Sequence, residues 1–251
     1  MPFHDCGAVM ADGGIESANT VGYSTQAVQG DKLYCIGLQF SDVGATDLAS
    51  IANLATSGIT PGTYDTMATE APCIMIYNGI AYDYYYYISD AYDANNNEVT
   101  AWANDGGDVA TDLKAIGTGC WLRIPAGKAT AGTVTASGEV SAADSSTINI
   151  ANGLTLACNP FPVALNMTKV TTSGLVAGAY DTMATDAPCI MIYNGVAYDY
   201  YYYISDAYDT NNNEVTAWAN DGGDAVTGDI AAVGEAFWVR SGSAGTLTIA
   251  K

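Results

Sequence analysis

The chain has 251 residues, with 7 Lys plus Arg against 27 Asp plus Glu, a formal net charge of −20. So acidic a chain repels phosphate backbones and anionic lipid surfaces, which argues against nucleic-acid and membrane-surface partners. A single histidine, His4, removes most His-based catalytic and zinc layouts, and 49% hydrophobic residues exclude a disordered acidic polymer.

Residues 1–18 show neither helical nor strand periodicity and read as an N-terminal arm, with Pro2-Phe3 and Val9-Met10 as its apolar points. The first 20 residues lack the basic and apolar regions of a secretion signal, and no run of about 18 apolar residues predicts a membrane span. A strand is expected over 32–39. A short helix is expected over 47–55, with Thr46 or Asp47 as N-cap and Gly58 past its end.

Residues 73–77, then Asn78-Gly79, then 80–88 predict a hairpin closed by a two-residue type I′ loop. That loop sets Tyr77 opposite Ile80, Met75 opposite Tyr82 and Cys73 opposite Tyr84. One face then carries Cys73, Met75, Tyr77, Ile80, Tyr82, Tyr84, Tyr86 and Ile88, and the other Ile74, Ile76, Ala81, Asp83, Tyr85 and Tyr87. Both are largely apolar or aromatic, whereas an ordinary outer sheet alternates apolar with polar. One face is expected in the core. The other, with Tyr85, Tyr87, Tyr201 and Tyr203, is expected at a domain or subunit interface, the alternative being a solvent face wetted by tyrosine hydroxyls. Further strands are expected at 120–124, 133–135, 146–158, 237–240 and 246–249.

The strongest feature is a duplication. Residues 64–108 recur at 180–224, an offset of 116, with 42 of 45 positions identical. The changes are Glu70 to Asp186, Ile80 to Val196 and Ala94 to Thr210. Weaker correspondence extends outward, Leu33-Tyr-Cys-Ile with Leu156-Ala-Cys-Asn and Gly119-Cys-Trp-Leu-Arg123 with Ala236-Phe-Trp-Val-Arg240. A period of this length is a domain rather than a solenoid unit. The expected fold is all-β: two tandem homologous β-sandwich domains, jelly-roll-like, over 19–137 and 138–251, preceded by the arm.

Asn159-Pro-Phe-Pro162, Ile192-Tyr-Asn-Gly195 and Gly234-Glu-Ala-Phe-Trp-Val-Arg240 resemble a recurring β-rich domain of large bacterial secreted and outer-surface proteins. The resemblance covers about 100 residues of repeat 2 and is weaker in repeat 1, where Ile36-Gly-Leu-Gln39 replaces the Asn-Pro-Phe-Pro turn. Ser17-Ala-Asn-Thr-Val-Gly-Tyr23 is similar to the first strand of such domains. The resemblance implies a surface location and a β-sandwich fold, and it carries no catalytic residues.

Candidate chemistry is sparse. Asp90, Asp93, Asn95, Asn97, Glu98, Asp105 and Asp108 recur as Asp206, Asp209, Asn211, Asn213, Glu214, Asp221 and Asp224. Crowded hard oxygen ligands suit structural Ca²⁺, although the EF-hand spacing is absent and solvated Asx turns account for the same residues. Six cysteines, Cys6, Cys35, Cys73, Cys120, Cys158 and Cys189, allow disulfides. Repeat symmetry favours Cys35–Cys73 and Cys158–Cys189, leaving Cys6 and Cys120; buried free thiols are the alternative. Trp102 and Trp218 beside the Asn/Asp loops either stack on a glycan or fill the cores.

The functional expectation is a non-enzymatic structural subunit of an extracellular or cell-surface assembly. Copies of the chain would be its partners, joined head to tail into a filament through the arm and the terminal strands. The rival expectation is a carbohydrate- or surface-binding adhesin module.

Overall fold

The computed structural model describes residues 20–251 except 43 and 46; the N-terminal arm, Cys6 and Thr46 lie outside the described residues. Among the described residues, each repeat contains ten strands. Repeat 1 comprises β1 (Val21–Val28), β2 (Lys32–Leu38), β3 (Leu48–Ser50), β4 (Ala55–Ser57), β5 (Cys73–Tyr77), β6 (Tyr82–Tyr92), β7 (Glu98–Ala103), β8 (Leu113–Ala115), β9 (Thr118–Ile124) and β10 (Gly132–Glu139). Repeat 2 follows the same order with β11 (Ser145–Ile150), β12 (Gly153–Cys158), β13 (Leu165–Asn166), β14 (Val170–Ser173), β15 (Cys189–Tyr193), β16 (Tyr198–Tyr208), β17 (Glu214–Ala219), β18 (Asp229–Ala231), β19 (Ala236–Ser241) and β20 (Gly245–Ala250). The duplication therefore extends well beyond its near-identical segment.

Pairing is also duplicated. The sheet β1–β10–β4 has its counterpart in β11–β20–β14, and the pair β3–β8 in β13–β18. The five strands β2, β9, β5, β6 and β7 match β12, β19, β15, β16 and β17, and the two sets join in one ten-stranded sheet. The chain is all-β. Its halves are not two separate sheet systems, because the main sheet runs through both.

In each repeat the three-stranded sheet and one face of the main sheet share a core. Val28 and Val134 meet Ile36, Ile74, Ile76, Tyr85, Trp102 and Leu122 in repeat 1. Ile150, Leu247 and Ile249 meet Phe237, Val239, Ile190, Ile192 and Trp218 in repeat 2.

The hairpin forms with a register two residues away from expectation. Tyr77 pairs with Tyr82, Met75 with Tyr84 and Cys73 with Tyr86. The cause is Asn78, whose Oδ1 accepts the backbone N–H groups of Ile80 and Ala81 at 3.1 and 2.9 Å. This Asx turn draws residues 78–81 into a four-residue loop around Gly79 at φ +98°, and the ladder starts after it. A shift of two keeps every side chain on its face.

What changes is which face is inside. Tyr85, 3% exposed, lies in the repeat 1 core, Tyr87 packs against that core, and Tyr201 and Tyr203 pack against the second. These four, expected at an interface, are core-facing. Tyr86, by contrast, is buried beneath the turn that ends in Ala71, with Met67 packed on the same cluster.

The helix expected over 47–55 is absent. Residues 48–50 form β3, Ile51–Asn53 form one 3₁₀ turn and Ala55–Ser57 form β4. Ser50 caps that turn by accepting the Ala52 N–H at 3.2 Å. Ile51 and Leu54 are both buried, so the segment between the expected cap and Gly58 is used for one tight turn flanked by strands.

The identical segments do not have identical surroundings. Trp102 Nε1 donates to the Leu54 carbonyl at 2.9 Å, whereas the buried Nε1 of its counterpart Trp218 has no hydrogen-bond partner. Replacing Trp102 with Phe strands the Leu54 carbonyl and is expected to cost about 1 kcal/mol more than Trp218→Phe. Paired urea denaturation curves test this, and equal losses would contradict it.

Candidate functional site

The features that distinguish this chain converge where the repeats meet. On the face of the main sheet opposite the cores, Cys35, Trp121, Leu156, Cys158, Ala236 and Trp238 form a separate buried cluster. Met75, Tyr77 and Tyr82, with their counterparts Met191, Tyr193 and Tyr198, pack around it. The period-two alternation of the hairpin delivers these side chains to one face.

The contacts come in reciprocal pairs. Tyr77 of repeat 1 packs against Trp238 of repeat 2, centroids 5.3 Å apart at 66°. Tyr193 of repeat 2 packs against Trp121 of repeat 1, 5.4 Å apart at 72°. Both are edge-to-face arrangements, which the ring quadrupoles favour. Within each repeat, Tyr77 packs on Tyr82 with centroids 5.4 Å apart, and Tyr193 on Tyr198 at 5.5 Å.

The backbone follows the same rule. Ile36 bridges Glu235, and Ala157 pairs with Thr118. The Gly37 N–H donates to the Gly234 carbonyl at 2.9 Å, and the Cys158 N–H to the Gly117 carbonyl at 2.8 Å. Cys35 sits opposite Trp121 and Leu156 opposite Trp238, so Gly37 and Cys158 occupy equivalent places, as do Gly117 and Gly234. A contact in which i meets j′ and j meets i′ is isologous, with an approximate two-fold axis. The seam is thus a homodimer-like interface enclosed within one chain.

Two features break the symmetry. A Cβ on Gly37 would stand 2.4 Å from the Cβ and 2.5 Å from the Sγ of Cys158, so the thiol of repeat 2 fills a space that only glycine leaves open in repeat 1. Gln39, fully buried, donates through Nε2 to the carbonyls of Asn159 at 2.8 Å and Phe161 at 2.9 Å. Its amide thereby holds the Asn-Pro-Phe-Pro turn of repeat 2. In the ladder register, Leu38-Gln39-Phe40-Ser41 takes the place of that turn in repeat 1, two residues later than the sequence comparison suggests.

Cys35 and Cys158 are therefore not equivalent, and the expected disulfides do not form. All five described cysteines are free and buried. Cys35 and Cys73 lie on strands separated by β9, and Cys158 and Cys189 on strands separated by β19, beyond the reach of an S–S bridge. Burial raises all five thiols above their ordinary value, Cys73 to about 12 and Cys189 to about 11. Burial likewise raises the Tyr86 hydroxyl to about 12.

The Asn/Asp loops have a backbone role. The Asp93 carboxylate accepts the N–H groups of Asn95 and Asn97, each at 2.8 Å, and Asp209 does the same for Asn211 and Asn213. These bonds, led by that from Asn97 or Asn213, hold both carboxyls below the usual range. Asp90 and Asp206 accept the N–H groups of Tyr64 and Tyr180. The loops carrying Asp105, Asp108, Asp221 and Asp224 are organised by Asn104 and Asn220, whose Oδ1 atoms take two backbone N–H groups each. Among the described residues, no three His, Cys, Asp or Glu side chains converge as a metal-binding group. Trp102 and Trp218 are core residues, so neither offers a ring to a sugar.

Compared with known proteins, the chain matches no family model, no curated protein and no solved structure.

Two expectations follow. Gly37→Ala forces Cys158 aside and is expected to cost about 1–3 kcal/mol by overpacking, with Cys158→Gly in the same chain restoring most of it; denaturation curves of the three variants decide, and no rescue would contradict the knob-and-hole fit. The five thiols should resist alkylation at pH 8 in the native state. Since the folded thiols keep their protons to higher pH than unfolded ones, stability is complete below about pH 9 and lost as pH rises toward 11–12. Mass spectrometry of alkylated protein and melting curves across that range measure both, and prompt labelling at pH 8 would contradict the burial.

Proposed function

We propose that the chain is a structural subunit of an extracellular or cell-surface assembly, built of two jelly-roll-like β-sandwich repeats that act as one stiff block. The observation that carries this reading is the seam. Trp121, Trp238, Tyr77 and Tyr193 are committed to fixing one repeat against the other, and the most crowded acidic side chains are committed to capping loops. Such an investment suits load-bearing and spacing. The sequence resemblance to β-rich surface domains points the same way.

Head-to-tail growth cannot copy the seam onto a neighbour while the seam is filled, because a two-fold contact closes on itself. A filament of closed subunits needs a second surface, and residues 1–18 are the candidate. Negative-stain microscopy of the purified protein tests the reading. Ordered assemblies that vanish on deletion of residues 1–18, with the monomer still folded, are expected; a protein that stays dispersed at high concentration would count against it. The rival adhesin reading would use exposed rings such as Tyr64, Tyr84 and Tyr92 with their counterparts Tyr180, Tyr200 and Tyr208, and saturable binding on a glycan array would favour it.

A further inference from the structure

We infer that the seam is exchangeable, so that repeat 1 of one copy docks on repeat 2 of another and the chain associates with itself by swapping whole repeats. This deepens the structural reading and rests on it. The partner is a second copy of this chain, and the surface is the aromatic face already occupied within each copy.

Three observations carry the inference. The first is the hinge. Residues 140–144, Val-Ser-Ala-Ala-Asp, are the only covalent link between the repeats among the described residues, and 142–144 are exposed. Few bonds hold the segment: Val140 N–H to the Thr20 carbonyl at 2.8 Å, Ala143 N–H to Ser141 Oγ at 3.4 Å, Lys251 N–H to the Asp144 carbonyl at 2.9 Å, and Lys251 Nζ to the Ser141 carbonyl at 3.1 Å. β10 and β11 on either side are paired entirely within their own repeats, β10 with β1 and β4, β11 with β20. Opening the hinge therefore breaks the seam without breaking the pairing of β10 or β11 inside either repeat.

The second is that the seam uses no contact that requires both repeats to belong to one chain. Every bond across it, from Tyr77–Trp238 to Gly37–Gly234, can form equally well between copies. Exchange thus leaves the contacts unchanged and alters only hinge conformation and translational entropy, which makes it a low-cost route to association that grows with concentration.

The third is specificity. Pairing two copies of repeat 2 would set Cys158 against Cys158, and pairing two copies of repeat 1 would leave the space above Gly37 empty and the amide of Gln39 without the carbonyls of Asn159 and Phe161. Only repeat 1 on repeat 2 fits. Reciprocal exchange closes a dimer. One-way exchange leaves a free repeat at each end, and it continues head to tail.

The test uses the full chain carrying Thr118→Cys and Ala157→Cys in a Cys6→Ser background. Thr118 and Ala157 are direct partners across the seam, so their cysteines lie within disulfide reach. Reduced protein is concentrated, taken through partial unfolding and refolding, then oxidised. The expected result is a ladder of chain multiples on a non-reducing gel, with protein oxidised before concentration remaining monomeric. As a check free of substitutions, isotopically heavy and light wild-type protein refolded together should give mixed dimers by native mass spectrometry, absent when the two are mixed without unfolding. Refolded protein that stays wholly monomeric would overturn the exchange. Assemblies that form equally with the seam locked would also overturn it while leaving the structural reading in place, since growth would then use another surface.

Discussion

The architecture depends on one pair of contacts, Tyr77 on Trp238 and Trp121 on Tyr193. Each repeat has its own core between its three-stranded sheet and the main sheet. That arrangement leaves the opposite face of the main sheet with Trp121 or Trp238 and a row of tyrosines. An apolar patch of that extent is not left to water by a monomeric domain. The second repeat is the cover, and the cover works because the two faces are nearly the same face turned about an axis.

Duplication explains the geometry. A patch that buries itself against its own copy gives a two-fold pair, and once both copies lie in one chain they can diverge. Cys158 opposite Gly37, and Gln39 reaching the turn at Asn159 and Phe161, are divergences of this kind. They turn a symmetric contact into one with a defined left and right. The same divergence appears in the cores, where Trp102 has the Leu54 carbonyl and Trp218 has no partner despite identical flanking sequence. Local sequence sets the strand; its environment sets what the strand's polar atoms can reach.

Much of the fold was legible in the residues. The duplication, the β character and most of the strands follow from identity, alternation and turn residues. Three things were not. Asn78-Gly79 suits a two-residue turn, but the Asn78 side chain takes two backbone N–H groups and lengthens the loop. The segment between the expected cap and Gly58 suits a helix, yet it holds one 3₁₀ turn flanked by strands. The faces of the tyrosine hairpin lie the other way round from expectation because both are largely apolar. Periodicity separates the faces without saying which meets the core, and only the packing of Ile74, Ile76 and Tyr85 under β1 and β10 decides it. The seam was hidden for the same reason, since a cysteine-based alignment makes Cys35 the twin of Cys158 when its twin is Leu156. The Trp of each aromatic strand, Trp121 and Trp238, was the signal available.

The central claim is that the seam makes two folds one cooperative unit, and hydrogen exchange tests it most directly. Leu122→Ala weakens the core of repeat 1 alone, since Leu122 is fully buried there and touches nothing in repeat 2 that defines its core. With exchange followed in both repeats, the account predicts faster exchange in β15, β16 and β19 as well as in β5, β6 and β9, because loss of repeat 1 uncovers the face that repeat 2 depends on. Faster exchange confined to repeat 1, with β15 and β19 as protected as in the unaltered protein, would show two independent beads and contradict it.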